Sequence, residues 1–245
     1  MNPDALLHTM SHFTNIKGFM KHFISLFNES VKTNLNSPAV TNFGGATYTY
    51  AQMAECIAKY HILFKEAGIE KGEKVALYAR NSAEWVNAYF ATLTYGAVTV
   101  PFLPDFIPSA VAELASFSEC KILLADDTAI KGLMENGANM ELLEKTDGFS
   151  GFINIKDISV AHATLKALSD AHDAMDTLFA KQYPNGLKVE DVDYYPVERD
   201  MEDVVEISFT SGTTSATSKG VVLPARSLSV NLEFAQREIP VAKGG

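Results

Sequence analysis

Apolar residues recur along this chain in two rhythms, and the rhythms alternate. Between Ile16 and Val31, the residues Phe19, Phe23, Phe27 and Val31 fall four apart, which lines them on one face of an amphipathic helix. From Tyr50 the spacing returns at Met53, Ile57, Tyr60 and Phe64, and Gly68 follows where a C-terminal cap is expected. The rhythm then changes to short continuous apolar runs: Val75 to Tyr78, the segment AVTVP from Ala97, and KILLA from Lys121. Helical segments separate these runs. One is capped by Asn81 with Glu84 three positions on and carries Trp85, Tyr89 and Leu93 on its inner face; the other is SAVAELASF from Ser109. Strands too apolar to have a wet face, alternating with helices, predict an α/β fold of parallel βαβ units with helices on both faces.

The middle of the chain reads less regularly. Ala129 to Lys145 and Val160 to Lys181 are expected helices around a weak strand at Gly151 to Ile155. The acidic, proline-containing stretch from Tyr183 to Asp203 reads as a connecting loop. Val204 to Phe209 is then a further strand, and it opens directly into FTSGTTSATSKGVVLP, residues 209–224. Ligands of open α/β sheets bind beyond the carboxyl ends of strands, so this passage lies where a site is expected.

Composition narrows the chemistry. The 245 residues are 47% apolar and 20% charged, which is ordinary for a globular protein, and 30 acidic residues against 20 basic ones give a formal charge of −10. That balance opposes nonspecific binding to nucleic acid, so any phosphate must be held locally. No apolar run approaches the roughly 18 residues of a membrane span, and no signal peptide is evident at the N-terminus; a cytoplasmic location is expected. Cys56 and Cys120 stand alone, without the spacing of a disulfide framework or a zinc site.

Residues 209–224 contain seven Ser or Thr, two Gly and a Lys. Gly212 can take backbone angles closed to other residues, and its small neighbours let successive N–H groups converge on an anion. Ser211, Thr213, Thr214 and Ser215 add neutral donors, and Lys219 adds one mobile positive charge. A backbone nest joined to a lysine is a common phosphate cradle. It is not the familiar P-loop, which needs Gly immediately before the Lys, where this chain has Ser218.

FTSGTTSATSKGVVL also resembles the signature of the adenylate-forming (AMP-binding) enzymes: acyl-CoA synthetases, luciferases and peptide-synthetase adenylation domains. The resemblance extends upstream, in order, through ATYTYAQMAE, GIEKGEKVALYARNSAEWVNAYFATLTYGAVTVPFLPDF and SECKILLADD. The wording of VPFLPDFIPSAV and RSLSVNLEFA is most similar to bacterial long-chain fatty acid:CoA ligases. The resemblance implies a two-step ligase using ATP, Mg²⁺ and CoA, in which a fatty or other carboxylic acid becomes an acyl-adenylate and then a thioester. It implies that Thr210, Ser211, Gly212, Thr213, Thr214, Ser215 and Lys219 surround the triphosphate, with Gly220 allowing the close turn into the next strand. Positioning and charge neutralisation, rather than a protein nucleophile, would carry such chemistry.

The chain departs from that family pattern in three places. Four residues separate Thr214 from Lys219 where the family has three, and Ser215 stands in place of the usual Gly. Pro224 and Ala225 occupy the position of a Ser/Thr-His pair. The 245 residues are expected to be the N-terminal portion of an AMP-binding domain, with the adenine contacts, the Mg²⁺-binding acid and the lid domain with its catalytic Lys beyond Gly245. Such a piece is expected to be inactive alone, and a non-catalytic nucleotide- or protein-binding module of the same fold is the alternative.

Other candidates have simpler readings. His8 and His12 lie four apart but lack a third ligand, and His61, His162 and His172 accompany no nucleophile motif. Asp126 and Asp127 fit a helix start. The helix at Ile16 to Val31, with Lys17, Lys21 and Lys32 nearby, is expected to pack on its own domain; peripheral contact with a membrane surface is the other reading.

Overall fold

A computed structural model describes residues 20–194, 199–210 and 219–239. Its centre is a seven-stranded sheet in the order β7-β6-β5-β3-β4-β8-β9. The strands are β3 (Lys74–Tyr78), β4 (Val98–Phe102), β5 (Cys120–Ala125), β6 (Gly151–Asn154), β7 (Val160–Ala163), β8 (Val204–Thr210) and β9 (Lys219–Pro224). Strands β6, β5, β3, β4 and β8 run parallel, and β7 and β9 close the two edges antiparallel. The all-parallel expectation therefore holds for the interior and fails at both edges. A separate hairpin pairs β1 (Pro38–Thr41) with β2 (Thr47–Thr49).

Alternate residues of the central strands enter two different cores, as the two-residue period of a strand requires. Val75, Leu77, Ile122, Leu124 and Ile153 face one side, where α1 (Phe23–Thr33), α2 (Tyr50–Glu66) and α3 (Ala83–Tyr95) pack. Ala76, Tyr78, Val100, Leu123 and Phe152 face the other, under α4 (Pro108–Phe117), α5 (Asp127–Met134) and α6 (Gly137–Glu144). Helices on both faces were expected from the apolar strands and are found.

The expected stripe on α2 is buried at Met53, Ile57, Tyr60 and Phe64, and Gly68 ends the helix with φ of 74°. On α1, Phe23 and Val31 are buried and Phe27 stacks on Phe90, with ring centroids 4.1 Å apart. Phe19 lies outside the described residues. The N–H of Phe23 donates to Ser229 Oγ (3.0 Å) on the last helix, α9 (Ala225–Glu238). The apolar face of α1 is thus occupied by its own domain.

Three local expectations are corrected. The N-cap of α3 is Ser82, whose Oγ accepts from Trp85 N (3.0 Å), and not Asn81. Glu84 instead holds the β1–β2 hairpin, accepting from Tyr48 Oη (2.7 Å) and Asn42 Nδ2 (3.1 Å). The expected helix over Ala129 to Lys145 is two helices, because Asn136 caps a new start with its side chain on Ala138 N. The expected helix at Val160 to Lys181 begins as strand β7, followed by α7 (Lys166–Asp173) and α8 (Met175–Gln182). Strand β7 is recruited by the exposed edge of β6. Its approach is so close that a Cβ on Gly151 would meet His162 O at 2.1 Å.

His61 on α2 is half-buried against α3, with Nε2 3.1 Å from Ala91 O and 3.0 Å from Thr94 Oγ1. Burial lowers its pKa from 6.5 to about 4, against a smaller upward pull from the Ala91 carbonyl. The folded state keeps this imidazole neutral while the unfolded chain protonates it below about pH 6.5, so its stabilisation is complete above 6.5 and is lost as pH falls toward 4. The loss amounts to roughly 3 kcal/mol. Urea unfolding across pH 4 to 7 is expected to show this decline, and His61→Gln is expected to reduce it without abolishing it, because burial lowers the pKa of His22 to about 4 as well; an unchanged slope would contradict the assignment.

Candidate functional site

The parallel strands all deliver their C-terminal ends to one rim of the sheet. There the chain leaves β3 toward α3 on one face but leaves β5 toward α5 on the other. Adjacent loops that diverge in this way open a crevice, the usual ligand position of doubly wound sheets. A cavity of about 260 Å³ occupies it, lined by Tyr78 at the end of β3 and Arg80 after it, Pro104 after β4, and Asp126 and Thr128 after β5. Tyr78 Oη donates to Phe106 O (2.6 Å) and fixes the loop above. Asp126 caps α5 as expected, accepting from Ala129 N (2.9 Å), and its other oxygen accepts from Arg80 N (3.0 Å). One carboxylate thus ties the ends of β3 and β5 together. Asp127 points elsewhere, toward Lys156 Nζ (3.5 Å).

Strand β8 reaches the same rim next to β4, with Thr99 opposite Glu206. It lies two strand spacings from β3, roughly 10 Å. Beyond it, Thr210 pairs with Lys219 and Phe209 with Gly220, so β8 and β9 form a hairpin whose eight-residue connection, 211–218, starts and ends at the rim. Among the predicted phosphate-binding residues, Thr210, Lys219 and Gly220 are brought together by this register. Ser211, Gly212, Thr213, Thr214 and Ser215 lie outside the described residues.

Lys219 is exposed as the first residue of β9, directly across from the last residue of β8. The register fixes its backbone at the base of the connection whatever the number of residues between. Gly220 has a packing role in this hairpin. It lies inside β9, with no left-handed backbone, and its lack of a side chain accommodates Phe209, whose Cε1 would lie 3.2 Å from an added Cβ. Phe209 in turn stacks on Phe102 at 5.9 Å between centroids.

A polar anchor absent from the sequence reading holds the hairpin to the helical layer. Tyr89 Oη on α3 donates to Glu206 Oε2 (2.6 Å), and Ser208 Oγ bonds the other carboxylate oxygen. Burial, then the Glu206 charge, keeps the Tyr89 phenol protonated far above its ordinary range. Tyr89 also stacks on Trp85 (5.0 Å). Only the meeting of an acidic position on β8 with a tyrosine on the inner face of α3 could have signalled it. Ala225, where the family pattern has His, is fully buried at the start of α9.

Both cysteines are free, and among the described residues no group of three His, Cys, Asp or Glu could hold a metal. His8 and His12 lie outside the described residues. No helix of the described residues is long and apolar enough to cross a membrane.

Comparison with known families places the chain: the AMP-binding enzyme profile matches residues 27–243. The chain belongs to the AMP-binding enzyme family. It is 29% identical over 177 residues to the acetyl-coenzyme A synthetase of Desulfatibacillum aliphaticivorans, covering 71% of this chain and 26% of that protein. It is 24% identical over 224 residues to the long-chain-fatty-acid–CoA ligase of Escherichia coli, covering 86% of this chain and 38% of that one. The chain therefore spans between a quarter and two-fifths of these relatives' length. The fold matches that of a benzoate CoA ligase from Burkholderia xenovorans (TM-score 0.63, 15% identity, covering 89% of this chain and 37% of that one). It equally matches an anthranilate CoA ligase in complex with anthranoyl-AMP (TM-score 0.62, 15% identity, covering 88% and 36%).

The fit of Gly220 against Phe209 has a measurable consequence. Gly220→Ala forces Phe209 to shift within a packed cluster and is expected to cost about 1–2 kcal/mol in urea unfolding. An unaffected midpoint would remove the steric role of this glycine.

Proposed function

We propose that this segment supplies the triphosphate-holding hairpin of an ATP-dependent acid–CoA ligase. In this reading a carboxylic acid, by the wording of VPFLPDFIPSAV and RSLSVNLEFA a fatty acid, is activated as its adenylate and transferred to the thiol of CoA. The observation that carries the proposal is the register Thr210↔Lys219 at the C-terminal rim of the sheet. It sets a strand-end threonine and a lysine side by side at the mouth of a connection rich in Ser, Thr and Gly. Family membership and the names of the similar ligases support the same reaction class.

The work assigned to these residues is electrostatic. Lys219 would neutralise charge as it accumulates on the departing pyrophosphate, and donors of 210–215 would orient the α-phosphate for attack by the carboxylate. Mg²⁺ would travel with the nucleotide in such chemistry, and among the described residues no group of three His, Cys, Asp or Glu could hold it. Tyr89 and Glu206 would hold the hairpin without touching substrate.

The second reading is a nucleotide-binding module without ligase activity. The four residues between Thr214 and Lys219, with Ser215 in place of Gly, favour it. Acid-dependent ATP–pyrophosphate exchange, measured on the polypeptide that carries this segment, separates the two. The ligase reading expects exchange that Lys219→Ala lowers by about 10²-fold. Exchange insensitive to that substitution would exclude Lys219, and ATP binding without exchange would favour the module.

A further inference from the structure

Strand β8 is joined to the sheet more thinly than the strands before it. Strands β3 and β4 keep register from Lys74↔Val98 to Tyr78↔Phe102, whereas among the described residues β4 and β8 pair only at Thr99↔Glu206. On its other side β8 has β9, an edge strand whose residues 219–222 are exposed. Backbone pairing alone therefore specifies weakly how far the hairpin stands above the rim. A slide of β8 by two residues would keep each side chain on its own face and move the strand end by about 7 Å.

Glu206, the residue at that pairing point, is also tied to the helical layer. One of its carboxylate oxygens accepts from Tyr89 Oη (2.6 Å), and the other bonds Ser208 Oγ on the same strand. Ser208 thus steadies the carboxylate against β8 while Tyr89 holds it from α3. The helix is itself fixed, by Ser82 at its start and by Arg199 on the carbonyls of Leu93 and Thr94 at its end. On the opposite face of β8 the tie is apolar, Phe209 stacking on Phe102 with ring planes 11° apart. Apolar contact is non-directional and lets parallel rings slide. A short hydrogen bond to a carboxylate is directional and stronger than a neutral one, so it selects which residue of β8 stands opposite Thr99.

We propose that Tyr89, acting through Glu206, sets the register of β8 in the sheet and is thereby a positioning residue for Lys219. From Glu206 the strand runs to Thr210, and the hairpin register carries that position across to Lys219. A two-residue slip would displace the Lys219 backbone by about 7 Å along the strand, more than the whole length of a hydrogen bond to a phosphate oxygen. The consequence for Lys219 rests on the ligase reading; the setting of the register does not.

Two measurements test the two halves of the proposal. Amide hydrogen exchange on the intact chain reads the register. Tyr89→Phe keeps a ring to stack on Trp85 and removes the donor, and is expected to speed exchange in residues 204–210 and 219–224 about tenfold while leaving residues 75–78 of β3 unchanged. Glu206→Gln, whose amide oxygen still accepts from Tyr89, is expected to stay within about twofold of the parent, and Glu206→Leu to follow Tyr89→Phe. An unchanged hairpin in Tyr89→Phe, or equal acceleration in β3, would overturn the proposal. ATP–pyrophosphate exchange, on the polypeptide that carries this segment, reads the consequence. Tyr89→Phe is expected to lower turnover at saturating ATP about tenfold and to cause no further loss in the Lys219→Ala background, because coupled residues are not additive. Equal losses in both backgrounds would refute the positioning of Lys219. Pyrophosphate exchange insensitive to Lys219→Ala would count against the ligase reading and not against the register, which amide exchange decides.

Discussion

The structure depends on the burial of β3 between two strands and two helical layers. Strand β3 pairs in parallel with β4 on one side and β5 on the other, so its backbone groups have partners on both edges. Its side chains divide between the two cores, with Val75 and Leu77 on one face and Ala76 and Tyr78 on the other. Its middle residues, Val75 to Leu77, are accordingly apolar on both faces, and the loops at its end must diverge because the following helices cover opposite faces. The crevice at the rim is a consequence of that geometry rather than a separate invention. The hairpin of β8 and β9 reaches the same rim because β8 joins the sheet parallel to β4.

Polar groups fix what apolar packing leaves adjustable. Asp126 joins the ends of β3 and β5, Tyr89 and Glu206 join α3 to β8, and Glu84 joins α3 to the β1–β2 hairpin. Arg199 adds a fourth tie, donating to Leu93 O and Thr94 O at the end of α3, where helix carbonyls lack partners within the helix. Hydrophobic contacts are non-directional and would tolerate small slides of a helix over the sheet. Each directional bond removes one such freedom, and three of the four converge on α3. That helix connects the rim and the edge of the sheet from which the hairpin projects, so both share one rigid support.

Several sequence signals were strong because they are local. The four-residue spacing on α2, the apolar runs of β3, β4 and β5, and the Gly68 terminator each depend on covalent neighbours alone, and each is where the pattern put it. The segment Val160 to Ala163 misled because its residues satisfy a helix as well as a strand; the unpaired edge of β6 decided between them. Capping at Ser82 was displaced from Asn81 because Asn42, distant in sequence, bonds Ala83 N and Glu84. The Ser/Thr/Gly-rich passage after β8 was legible as composition and as the sequel to a strand, but the register that sets Thr210 beside Lys219 was not, and neither Tyr89 nor Glu206 carries any sign of its partner 117 positions away.

By itself, then, the order of residues determined the α/β class, the buried central strands and the family to which the chain belongs. These follow from periodicity and from short motifs whose members are close along the chain. Tertiary structure decided the antiparallel edges, the register that sets Thr210 beside Lys219 and the packing role of Gly220. Each of these requires groups far apart in sequence to meet, and the free energy that brings them together resides in the folded sheet and not in any one segment.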